Sequence, residues 1–114
     1  MLKCTYILLS EDEIMVYHIV MWNFKEEVEE AKKAALVADM KANLESLVGK
    51  VPGLLSASFV AAPLASSTHD IALYTTFEKA EDIKGYAGHP DHVHVANTYV
   101  RPYVHNRACL DFEL

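Results

Sequence analysis

Apolar and polar residues alternate along residues 16–24, the signature of a strand. Val16, His18, Val20, Trp22 and Phe24 share one side, and Tyr17, Ile19, Met21 and Asn23 share the other. Both sides are largely apolar, which predicts a central strand. The period then lengthens. Val37, Met40, Leu44, Leu47 and Val51 recur at spacings of three and four, predicting a helix over residues 26–48 with one buried stripe. Glu26, Glu27, Glu29 and Glu30 crowd its predicted start, where carboxylates complement the helix dipole. Gly49 is expected to cap the helix in the left-handed region, and Pro52-Gly53 breaks the chain after it.

Alternation returns over residues 54–61, with Leu55, Ala57, Phe59 and Ala61 on one side and Ser56 and Ser58 on the other, an edge pattern. A loop of small residues leads to a third strand over residues 70–77. There Ile71, Leu73, Thr75 and Phe77 oppose Ala72, Tyr74 and Thr76. A short helix is expected over residues 79–87. His89-Pro90 interrupts it, and a second helical segment over residues 91–100 follows, since proline suits a first helical turn. The last strand is expected over residues 107–114, where Ala108, Leu110, Phe112 and Leu114 alternate with Arg107, Cys109, Asp111 and Glu113.

The order βαββαβ predicts an α+β, ferredoxin-like sheet with both helical segments on one face. Strands one and three then lie centrally, as their two-sided apolar character requires. The uncovered face would carry Tyr17, Ile19, Met21, Ala72 and Tyr74. A monomer would expose that apolar patch to water, so a homodimer pairing two such faces is expected.

Composition narrows the function classes. The chain of 114 residues suits one domain, and its net charge is −6. It has no run of Lys or Arg, so neither a nucleic-acid surface nor an electrostatic membrane anchor is expected. Cys4 and Cys109 stand in no zinc spacing and are read as reduced thiols of a cytoplasmic protein. The apolar stretch Tyr6-Ile7-Leu8-Leu9 is too short for a signal-peptide core. Residues 1–14 are read as an N-terminal extension, with Met15 opening the domain that spans residues 15–114. The rival reading is an added edge strand over residues 4–9.

One constellation suits chemistry. His18 stands on the side of the sheet that the helices should cover, and Tyr86, His89 and His92 stand on those helical segments. The spacing 86–89–92 keeps them on neighbouring turns. Val20, Trp22, Ile71 and Phe77 are expected to line a pocket between sheet and helices, with His89 at its wall. Histidine titrates near neutrality and can move a proton from a carbon beside a carbonyl. A tyrosine hydroxyl can donate to the developing enolate. His92 is therefore the expected general base, Tyr86 its partner and oxyanion donor, and His18 a polar wall. The competing structural reading makes His89 a helix cap and His18 a satisfied core histidine. His89, His92 and His94 lack a standard catalytic-zinc spacing, so no metal and no other cofactor is expected.

Several segments together resemble the stress-responsive dimeric α/β-barrel (Dabb) family. They are Val16-Tyr17-His18-Ile19-Val20-Met21-Trp22, Lys50-Val51-Pro52-Gly53, Ala87-Gly88-His89-Pro90-Asp91-His92, Tyr99-Val100-Arg101-Pro102 and Asp111-Phe112. The resemblance implies the ferredoxin-like fold and a barrel made by two facing sheets. A plant branch of the olivetolic acid cyclase type, a cofactor-free polyketide cyclase, offers a functional guide. His18, Tyr86 and His92 match its strand-one histidine and its helical tyrosine and histidine. Where that branch carries a histidine on strand three this chain has Ile71, with His69 nearby but out of register. The resemblance thus implies a small apolar ligand and lyase-type acid/base chemistry. Its alternatives are a non-enzymatic stress-response dimer and a cofactor-independent monooxygenase-like protein.

Overall fold

The computed structural model describes residues 14–114. All but the last residue of the expected extension, and the alternative strand over residues 4–9, lie outside the described residues. The elements run β1 (Val16–Phe24), α1 (Glu30–Glu45), β2 (Leu54–Val60), β3 (Ile71–Phe77), α2 (Glu81–Gly88), α3 (Pro90–Val95) and β4 (Val104–Glu113). A π-helical turn (Ala96–Val100) and a 3-10 turn (Arg101–Tyr103) join α3 to β4. The four strands form one antiparallel sheet in the order β2-β3-β1-β4. The expected ferredoxin-like α+β arrangement is therefore present, with β1 and β3 central and β2 and β4 at the edges.

The helices cover the face that holds Val16, His18 and Val20 of β1 and Ile71, Leu73, Thr75 and Phe77 of β3, all buried. Met40, Leu44, Leu47 and Val51 bring the α1 stripe down onto that face, while Val37 is only half-buried. Fully burying a side chain of this size contributes about 1.5–3 kcal/mol, so this layer is the main source of stability. Glu45 ties α1 to the edge strand by accepting from the Phe59 backbone N–H at 2.9 Å. The Lys41 ammonium on the same carboxylate lowers its pKa.

Three predicted details need correction. Helix α1 starts at Glu30, four residues late. The Val28 N–H donates to the Lys25 carbonyl and closes a turn, so only Glu30 occupies the first helical turn. It also ends early, at Glu45, before a series of turns over residues 46–50 that contains Gly49, whose φ of 91° fits the expected left-handed conformation. In β2, Leu55 is exposed and Leu54 is buried instead. A register shift between Leu54 and Ser56 swings this end of the strand out of alternation. Strand β4 starts at Val104 rather than residue 107. Asn106 adopts a φ of 57° opposite a register shift in β1, and this bulge lets pairing continue to Val104.

The other face of the sheet is apolar along its centre. Tyr17 stacks on Phe112 with ring centroids 4.9 Å apart and meets Tyr74 edge-on at 5.7 Å. Ile19 pairs with Tyr74 on one side and Leu110 on the other. Leu110 and Val60, which the sequence reading did not assign to this face, are exposed here, as is Tyr74. Among the described residues no helix is long and apolar enough to cross a membrane.

Candidate functional site

Strand β1 presents His18 to the helices because its neighbours Val16 and Val20, two positions away on either side, are core residues. Thr75 holds the strand there: its hydroxyl donates to the His18 carbonyl at 2.7 Å. On the other side the ladder sets His18 directly opposite Asp111. The His18 Nδ1–H donates to the Asp111 carboxylate. This leaves Nε2 as the unprotonated nitrogen of the neutral ring, the one able to accept a proton. Cys109, two positions before Asp111, lies with its sulfur 3.4 Å from the same carboxylate oxygen and 3.6 Å from His18 Nδ1.

The helical side is built around the break at His89. That residue is extended, with φ −67° and ψ 133°, and its Nδ1 accepts from the Asp91 backbone N–H at 3.1 Å. Pro90 then opens α3 without wasting a donor. His89 is thus the cap of α3 and not a wall of the pocket, because its ring is spent on the orphan N–H of the first turn. The break redirects the chain so that Tyr86 at the end of α2 and His92 in α3 come into ring contact, centroids 4.1 Å apart. Phe77 props the other side of Tyr86 edge-on at 5.3 Å. His18 and Tyr86 stand 6.2 Å apart, also edge-on.

These groups enclose a cavity of about 210 Å³ lined by His18, Tyr86 and His92, with Val20 and Trp22 as apolar walls. Five expected site residues therefore share one space. Ile71 and Phe77 do not line it; both are core residues that pack beside it. The segment expected as one α-helix over residues 91–100 changes form at Ala96. The π-helical turn widens the backbone and brings Ala96, Val100 and Arg101 to the cavity. Arg101 and, from β4, Arg107 also line it. Sequence reasoning missed both arginines and Asp111. The polar alternation of Arg107, Cys109 and Asp111 was the available signal, and it lacked only the register against β1.

The electrostatics suit proton transfer. Burial pushes the Tyr86 phenol up to about 12, and no hydrogen bond contributes to that shift. Its hydroxyl stays protonated at neutral pH and is available as a donor. Burial is also the largest influence on His92 and lowers its pKa. The hydrogen bond to the Ala87 carbonyl works against that, while the positive charge of Arg101 and the nearness of the His18 and His89 rings add to it. His92 is accordingly neutral at physiological pH. Its Nδ1–H points at the Ala87 carbonyl at 3.3 Å, which leaves the Nε2 lone pair free. The site thus combines a neutral base, a protonated phenol and a carboxylate-anchored second imidazole.

The fold gathers a set of potential metal ligands other than His89, His92 and His94. His18, Cys109 and Asp111 offer donor atoms that lie within 4.8 Å of one another. Their nitrogen, sulfur and oxygen suit a borderline-soft cation such as zinc. All three are already joined by hydrogen bonds among themselves.

Residues 16–114 match the family of the stress responsive A/B barrel domain. Among solved structures, the chain is similar to a dimeric protein of unknown function with a ferredoxin-like fold from Bacteroides fragilis, at 30% identity and a TM-score of 0.79. The match covers 88% of this chain and 96% of that one. It is also similar to a Dabb family protein of ferredoxin-like fold from Mesorhizobium loti, at 17% identity and a TM-score of 0.66, over 87% of this chain and 95% of that one. A hydroxynitrile lyase from Passiflora edulis shares the fold at 16% identity and a TM-score of 0.65, over 88% and 93%. No curated protein matches the chain significantly.

Proposed function

This chain belongs to the stress responsive A/B barrel domain family, and on that premise we propose that it is a homodimer whose cavity performs cofactor-free acid/base chemistry on a small, largely apolar molecule. The reaction class is that of a lyase or cyclase. His92 takes a proton from a carbon beside a carbonyl through Nε2, and Tyr86 donates its hydroxyl to the enolate that forms. The His92 imidazolium returns that proton to the product, and His18, oriented by Asp111, supplies a polar wall. The observation that carries this reading is the ring contact between Tyr86 and His92 at the edge of a cavity whose inner walls include Val20, Trp22, Leu44 and Leu73. That one structural neighbour is described as a hydroxynitrile lyase agrees with it. The dimer is supported by the apolar uncovered face, with Tyr17, Ile19, Met21, Ala72 and Tyr74 in it, and by the description of the Bacteroides fragilis protein as dimeric.

The test is proton exchange at the α-carbon of a small aryl ketone in deuterated water, followed by NMR. The wild-type protein should accelerate exchange, and His92→Ala should lose about 10²–10⁴-fold of that acceleration while keeping its far-ultraviolet circular dichroism. Equal exchange by the folded variant would remove His92 from the role. No exchange by either protein would favour a dimer that binds without turnover.

A further inference from the structure

We infer that the ligand of this cavity is an anion, a molecule of about one ring or an equally short chain bearing a carboxylate, recognised by Arg101 and Arg107. The inference rests on the cavity being the ligand site proposed above and adds the chemical class of what enters it.

The charge distribution is the first argument. The chain carries a net charge of −6, yet the cavity lining holds two guanidinium groups and no carboxylate. The ion pairs of the described residues join His18 to Asp111, Lys32 to Glu29, Lys33 to Glu30 and Lys41 to Glu45, and neither arginine takes part. Arg101 instead donates to the amide oxygen of Asn97 at 2.6 Å, one helical turn before it. A neutral acceptor holds the side chain in place without cancelling its charge. An exposed guanidinium that carries no counter-ion at the rim of a cavity is open to a charge-assisted, bidentate pair with an incoming carboxylate.

Placement is the second argument. Arg101 leaves the π-helical turn in the helical layer, whereas Arg107 stands on the edge strand β4. The two approach the same space from different layers of the fold, so one anion can receive both. Both are exposed, while His18 and Tyr86 are buried, which sets the positive end at the mouth and the acid/base groups inside. A ligand held by its carboxylate would direct its apolar part past Trp22 and Val20 toward Tyr86 and His92.

Size is the third. Drug-sized ligands use pockets of roughly 300–1,000 Å³. An apolar cavity of about 150 Å³ is enough for benzene. At about 210 Å³ this cavity has room for a single substituted ring, with the polar substituent reaching the mouth.

The chain has one tryptophan, Trp22, and it lines the cavity, so its fluorescence reports occupancy. The experiment titrates the full-length protein at low salt with benzoate and with its neutral isostere benzamide. Benzoate should change the Trp22 emission saturably and bind at least about tenfold more tightly than benzamide, and added salt should shrink the difference. Arg101→Gln and Arg107→Gln should each lose most of that preference while binding benzamide as the wild type does. Equal affinity for the two probes, no saturable response to either, or a preference that survives both substitutions would overturn the inference. The His92→Ala variant separates this result from the catalytic reading. If it retains both exchange activity and the benzoate preference, the acid/base assignment fails and the anion site stands.

Discussion

The same four strands carry two faces of different chemical character. On the helix-covered face, apolar residues fill the centre, and polar groups gather where β1 meets β4. There His18 and Cys109 both meet the Asp111 carboxylate, and from β3 on the other side Thr75 donates to the His18 carbonyl. On the uncovered face Tyr17, Ile19 and Met21 are half-buried, Leu110 is 62% exposed, and aromatic stacking replaces hydrogen bonding. One face has unfilled space beside titratable groups, and the other has apolar surface without a cover. A face of the first kind suits chemistry on a small molecule; a face of the second kind suits another copy of itself. Alternation along a strand separates the two because neighbouring residues point to opposite sides, so each evolves without disturbing the other.

The sharpest way to break this division is to charge the uncovered face. Ile19→Asp should weaken the proposed dimer by about 3–5 kcal/mol, because a lone carboxylate would be buried opposite apolar partners. Sedimentation should then find monomer at concentrations where the wild type is dimeric. Benzoate binding to Trp22 should persist, since the cavity lies on the opposite face. A variant that stays fully dimeric would show that the copies meet elsewhere.

A smaller effect is expected from the covered face. Tyr86→Phe removes the hydroxyl and keeps the ring on His92 and Phe77. Exchange activity should fall about 10²–10³-fold, the usual cost of one oxyanion donor. Dimerisation should not change, and neither should the melting temperature by more than a few degrees. A variant that keeps its activity would reduce Tyr86 to packing.

The smallest effect is on the pH profile. Desolvation lowers the His92 pKa, so the base is lost only as pH falls through a value below the ordinary 6.5. Activity should rise with pH on the acid side, reach its plateau by neutrality and decline only toward the Tyr86 ionisation at about 12. The dimer should show no step at His92's pKa. An acid limb above 6.5 would mean that a different group acts as base.

Legibility differed between the faces for a physical reason. Tyr17, Ile19, Met21, Ala72 and Tyr74 share the uncovered face because period-two alternation alone assigns them. His18, Val20 and Trp22 follow from the same rule on the other side, and Tyr86 and His92 from helical spacing. His89 did not go where spacing put it, because the unpaired N–H at the start of α3 claimed its ring. Ile71 and Phe77 were on the expected side but too deep to reach the cavity. Leu55 is exposed against its alternation because the register shift in β2 is a feature of pairing and leaves no mark in the sequence period.

By itself, then, the sequence determined the element order, the central place of β1 and β3, the division of residues between two faces, and the place of His18 on the covered face with Tyr86 and His92 on the helical segments. These follow from short-range periodicity and burial, which each segment carries in its own residues. Only the tertiary structure decided that Asp111 anchors His18 across the β1–β4 ladder, that a π-helical turn delivers Arg101 to the cavity and that a left-handed Asn106 lets β4 begin early. Those outcomes depend on register and on local departures from ideal helix and strand. Both are settled when distant segments pack together, and neither is written in the period of any one of them.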